Sequence, residues 1–159
     1  MTKPEAKPVA LQEPVTENTP GLFELEDAFV DINAIEEGRW VPLGADFPGV
    51  EIFTVGLSSK AATKFKEMLE RTTPRKNRHS NGQLTEETRE VILKQVVSTK
   101  CITNWRGVGS GGQPLPFTKE KLEYLLAEPK ARRLAAAMIN AITDLEVRKA
   151  ATEEEVVKN

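Results

Sequence analysis

Between Ala131 and Leu145, apolar residues recur at three- and four-residue steps: Ala131, Leu134, Ala135, Met138, Ile142 and Leu145. That spacing lines them up on one stripe and predicts an amphipathic final helix over about 130–148, with Pro129 suited to its first turn. A second stripe, Ala61, Phe65, Met68 and Leu69, predicts a helix over 58–71 capped by Ser58 or Ser59. Thr85, followed by Glu86 and Glu87, opens a longer pattern read as a helix over 85–105, since carboxylates suit a helix N-terminus. Its apolar residues Val91, Ile92, Leu93, Val96, Val97, Cys101, Ile102 and Trp105 spread around most of the circumference. A helix apolar on several sides is central or covered by a partner. Thr118 then caps a short helix over 118–127 through Leu122, Leu125 and Leu126.

Upstream the period shortens. The segments "RWVPL" and "VEIFTV", separated by the turn Phe47-Pro48-Gly49, predict a β-hairpin over about 39–55, with Pro42 marking an edge strand. The partial alternation Val30, Ile32, Ala34 suggests one more strand around Phe29–Ile32. Residues 1–21 hold four of the ten prolines and no periodic pattern, which reads as a flexible Pro-rich arm. The expected fold is therefore α+β: a small N-terminal β-hairpin or sheet followed by a bundle of about four helices, as one domain over 22–150, with an acidic tail at 151–159.

Composition narrows the function classes. The 159 residues suit one modest core, and no apolar run is long enough for a membrane span. The first residues lack the apolar core of a secretory signal, so the expected location is the cytoplasm. Net charge is −2, but it is unevenly placed. Leu22–Gly56 carries eight acidic residues against Arg39 alone, whereas Lys60–Ser80 carries seven basic residues against Glu67 and Glu70. Three readings stay open: two solvated faces, a chain folded back on itself, or one subunit's acidic end on another's basic end.

Candidate chemistry is thin. Gly107, Gly109 and Gly112 spell G-x-G-x-x-G, but a dinucleotide fingerprint needs a strand before it and a helix opening at its third glycine. The pattern here predicts a helix ending at Trp105 and an extended "QPLPF" after Gly112, so the glycines read as a helix–loop–helix connector anchored by Trp105 and Phe117. Gly107 would end the helix, and Pro114 and Pro116 would stiffen a bridge delivering Leu115 and Phe117 to the core. His79 is the only histidine and Cys101 the only cysteine, which leaves no triad, disulfide or cysteine-histidine metal site to assemble. Glu86 and Glu87 are explained by capping. No cofactor and no catalysis are expected. The stretch "RTTPRKNRH" could meet phosphates through Arg71, Arg75, Lys76 and Arg78, but it has no interleaved aromatics. Nucleic acid is the less favoured partner, behind a solvated loop or an acidic protein.

With these elements placed, the succession "EEGRWVPL", "VEIFTVGLSS" and "NWRGVGSGGQPLPFTKEKLEYLLAEP" resembles the tail assembly chaperones of long-tailed bacteriophages over roughly Asp31 to Leu145. Gly38 and Trp40 match in the first segment. Trp105, Gly107, Val108, Gly112, Leu115, Pro116, Phe117 and Thr118 match the Trp-x-Gly-Val turn and the Leu-Pro-Phe-Thr segment of that family. The resemblance implies a non-enzymatic protein that coats the tape-measure protein and recruits tail-tube subunits, with self-association expected. The Leu134, Met138 and Ile142 face and the Arg75, Lys76 and Arg78 loop are the candidate contacts. The Pro-rich arm lies outside the family pattern and keeps open a structural virion protein of the tail or head–tail region. A small nucleic-acid-binding or regulatory protein is the third reading.

Overall fold

The computed structural model describes residues 21–147; the arm expected over 1–21, but for Gly21, and the acidic tail expected over 151–159 lie outside them. Asp31 accepts a hydrogen bond from the Ala34 amide at 3.0 Å and caps a short helix, α1 (Ile32–Glu37). The strand expected around Phe29–Ile32 is reduced to a single β-bridge residue, Val30, and Ile32 already belongs to the helix. Local capping by Asp31 and the stop at Gly38 (φ +92°) outweigh the β-branched residues there.

The hairpin follows as expected. β1 (Arg39–Pro42) pairs antiparallel with β2 (Glu51–Thr54), Val41 opposite Ile52, and β1 is the sheet edge that Pro42 called for. Ser59 then caps α2 (Lys60–Arg71), its hydroxyl accepting from the Ala62 amide. Two distant carboxylates complete that helix end: Glu36 accepts from the Lys60 amide at 3.0 Å and Glu146 from the Ser58 amide at 2.9 Å. Negative charge at a helix N-terminus is stabilising, so α1 and the last helix are tied to α2 by the same physics.

The long helix expected over 85–105 is three elements. α3 (Glu86–Val96) begins at the Thr85 cap as expected, then widens into a π-helical turn over Val97–Cys101, where the Ile102 amide reaches back to the Val97 carbonyl. From there the chain runs directly into β3 (Ile102–Arg106), which pairs antiparallel with β2 to give the order β1-β2-β3. The reason is non-local. β2 has an open edge, and the residues arriving beside it include the β-branched Ile102 and Thr103. Thr54 pairs with Ile102 and Phe53 with Asn104, which leaves Thr103 as the extra residue of a β-bulge. The bulge lets Ile102 and Trp105, three residues apart, both face the core. Of the apolar residues on several sides, Ile92, Val96, Val97, Cys101, Ile102 and Trp105 are thus covered within the chain, whereas Val91 stays exposed.

After β3 the chain makes a two-stranded ribbon, β4 (Gly109–Ser110) and β5 (Gln113–Pro114), then α4 (Lys119–Ala127) under the Thr118 cap, a short 3-10 turn and α5 (Arg132–Val147). α5 packs across β1 and β2 and against α1 and α4, while α3 lies between α2 and α4. The core gathers Val41 and Ile52 from the sheet, Val96, Val97 and Cys101 from the α3 end, Leu122 from α4, and Met138, Ile142 and Leu145 from α5. Each such large side chain, fully buried, contributes roughly 1.5–3 kcal/mol. The fold is α+β, as the sequence pattern predicts.

Candidate interaction surfaces

The glycine-rich stretch is built around Trp105. Its indole is buried, donates Nε1–H to the Leu115 carbonyl at 2.7 Å, and meets the Phe117 ring edge-on with centroids 5.0 Å apart. The Leu115 amide returns a hydrogen bond to the Val108 carbonyl at 2.9 Å. Between these anchors Gly111 and Gly112 (φ +60° and +80°) form the two-residue loop of the β4–β5 ribbon, the conformation glycine supplies in tight hairpins. Gly107 (φ +81°) lies against the β1–β2 turn, where a Cβ would sit 2.0 Å from the Gly49 carbonyl oxygen.

Two parts of the sequence reading change here. A strand, not a helix, precedes Gly107, so the connector is strand–ribbon–helix and Gly107 ends no helix. No helix opens at Gly112, because the chain turns back as β5 and α4 starts only at Lys119. The anchoring roles of Trp105, Leu115 and Phe117 and the cap at Thr118, whose hydroxyl accepts from the Lys121 amide, are as expected; Pro116 gives its carbonyl to the Lys121 ammonium. What the stretch presents outward is the ribbon tip, Gly109 to Pro114, all exposed.

The basic loop divides in two. Arg78 is turned inward: its guanidinium donates to the carbonyls of Glu70, Thr73 and Gly82, stapling the end of α2 to the loop that follows. It serves the fold and not a free surface. Arg75 and Lys76 sit on a one-turn 3-10 helix and are exposed.

The α5 face is placed differently from the expectation. Met138 and Ile142 are fully buried and Leu134 is half-buried, because this stripe covers the inner face of the sheet. The stripe is core and does not offer itself to a partner.

Sequence reasoning missed the outer face of the sheet. Trp40 and Phe53, paired across β1 and β2, meet edge-on at 5.5 Å, and Arg106 stacks 4.0 Å over Trp40 while its Nε donates to Glu51 at 2.7 Å. The signal was present in the alternation of "RWV" and "EIF", but it needed β3 to bring Arg106 alongside. Cys101 is buried among apolar neighbours, and desolvation, aided by Glu146, pushes its thiol up to about 12, which leaves it protonated and unreactive. No helix among the described residues is long and apolar enough to cross a membrane.

The sequence model of the YdaY prophage protein family matches residues 57–159, more than half of the chain. The chain belongs to that family. It is therefore a phage-derived protein. The YdaY match takes in α2 through α5, the ribbon and the β3 strand, whereas β1 and β2, which complete the sheet beside β3, lie before it. No curated protein and no solved structure matches the chain.

Proposed function

We propose that this prophage protein is a non-catalytic tail assembly chaperone, which binds the tape-measure protein and recruits tail-tube subunits in the host cytoplasm. The observation that carries this reading is the anchored ribbon. The residues that resemble the chaperone family, Trp105, Gly107, Leu115, Pro116, Phe117 and Thr118, form one connected unit around the buried indole. A motif whose members support one another in space is harder to reach by chance than scattered identities. Phage origin agrees with the same reading. A second supporting feature is the split of charge between the acidic N-terminal part and the basic α2 region, which favours association between copies along a filament.

The test is coexpression of tagged protein with the tape-measure protein of the same prophage. The expected result is copurification of the two and a soluble tape measure. A tape measure that neither copurifies nor gains solubility sinks the chaperone reading. The Pro-rich residues 1–21 favour the alternative of a structural virion protein; mass spectrometry of purified particles separates the two, because a chaperone is absent from them and a structural component stoichiometric.

A further inference from the structure

Nine large apolar side chains stand exposed among the described residues, and five of them, Leu22, Phe23, Leu25, Phe29 and Ile32, fall within eleven consecutive positions. Leu22 and Phe23 are 70% and 72% exposed. Single exposed apolar residues need no explanation, but a run of them marks an interaction site. This run is interleaved with the acidic Glu24 and Glu26, and Leu25–Ala28 forms a single 3-10 turn.

The complementary surface lies on α2. Ala61, Phe65 and Met68 floor a groove of about 530 Å³, and Lys64, Arg71 and Lys100 rim it, with Glu67 its one acidic residue. Lys100 sits 5.5 Å over the Phe65 ring. The groove is apolar in the middle and positive at the edge, whereas the segment is apolar with negative charges between. Leu22, Phe23 and Leu25 are exposed, as are Lys64 and Arg71 at the groove.

We propose that the Leu22–Phe29 segment of one copy docks in the α2 groove of a second copy. Leu22, Phe23 and Leu25 cover the Phe65 and Met68 floor, and Glu24 and Glu26 face Lys64, Arg71 and Lys100. Each copy carries one segment and one groove, so the contact is heterologous and repeats from copy to copy. The proposal deepens the self-association in the chaperone reading and rests on it only for its biological purpose, since it concerns the purified protein alone.

Sedimentation velocity on the full chain, at low and high salt, tests it. The wild type is expected to associate, and more weakly as salt rises. The E24K/E26K variant and the K64E/R71E variant are each expected to lose roughly tenfold or more in self-affinity. All four positions are solvent-facing, and circular dichroism checks that both variants fold. Mixing the two variants places a basic segment opposite an acidic groove and is expected to restore association between them, which docking within a single chain cannot do. A wild type that stays monomeric, variants that associate like wild type, or a mixture that gains nothing overturns the proposal. None of these outcomes bears on tape-measure binding, which the copurification experiment reads separately.

Discussion

Two apolar stripes of this protein have opposite fates. The α5 stripe, Ala135, Met138, Ile142 and Leu145, is wholly inside, pressed on the sheet. The Leu22–Ile32 run, of comparable apolar content, is outside. The difference is whether the chain itself supplies a matching face. β1 and β2 present Val41 and Ile52 to α5, whereas among the described residues Leu22 and Phe23 stand exposed. The same contrast recurs among the glycines, where Gly107 is met by the backbone of Gly49 and Gly112 by open space. Periodicity reports that a stripe wants cover; it does not report who provides it.

The sharpest way to break this contrast is to empty the inner stripe. Met138→Ala or Ile142→Ala is expected to cost about 2–5 kcal/mol in urea unfolding, because each leaves a cavity under the sheet. A loss below about 1 kcal/mol would return the α5 face to the surface. Gly107→Ala is expected to cost roughly 2–4 kcal/mol from positive φ and a backbone clash together, against about 1 kcal/mol for Gly112→Ala, which meets only the strain. Equal losses at the two glycines would refute the close approach to Gly49. Arg78→Ala is expected to cost about 1–3 kcal/mol by leaving three carbonyls short of a donor, whereas Arg75→Ala stays within about 0.5 kcal/mol.

Asp31 supplies a pH test of the join between the run and the folded part. The Ala34 amide chiefly holds its carboxyl below the usual range; burial opposes it, and the Arg39 guanidinium adds to the lowering. A lowered folded value means that the contribution is present above the ordinary carboxylate pKa of ~3.9 and is lost as pH falls through the lowered value. Asp31→Asn keeps a capping side chain but removes the charge, so its stability should fall less steeply on acidification than that of the wild type. An unchanged acid limb would show that the charge of Asp31, toward the Ala34 amide and Arg39 together, contributes nothing. Smallest of all, Leu22→Ser with Phe23→Ser is expected to change stability by no more than about 0.5 kcal/mol, because the residues are exposed in the single chain. A larger loss would mean that the outer stripe is covered after all.

How much of this was legible in the sequence follows from range. The caps at Ser59, Thr85 and Thr118 and the turn at Phe47-Pro48-Gly49 are local, and α2, the start of α3, α4, α5 and the β1–β2 hairpin are placed by them. The end of α3 has no glycine or proline to mark it. Val97 to Trp105 becomes a π turn and a strand only because β2, some fifty residues earlier, offers an edge. α1 differs for another reason: the Asp31 cap and the Gly38 stop, both local, decide the segment against the β-branched Val30 and Ile32. For the candidate surfaces, side-chain type alone could not separate Arg78, held by backbone carbonyls, from its exposed neighbours Arg75 and Lys76. The buried Trp105 was legible as an anchor because its partner Phe117 lies close in sequence.

The π turn and the Thr103 bulge have a consequence for chain length. Each absorbs one residue between Val96 and Trp105, and together they set the phase with which the chain enters the sheet. Side chains alternate along a strand, so a shift of one position exchanges the two faces. Losing Thr103 alone would close the bulge into a regular ladder in which Ile102 and Trp105, two positions apart, still share the core face, whereas losing Thr103 and Asn104 together would bring Arg106 to the position Trp105 holds and carry the indole away from Leu115 and Phe117. Thr103 itself is exposed, and its identity matters little. In this stretch the phase is under tighter constraint than the letters: Thr103 tolerates replacement, and the strand tolerates losing its one extra residue but not two.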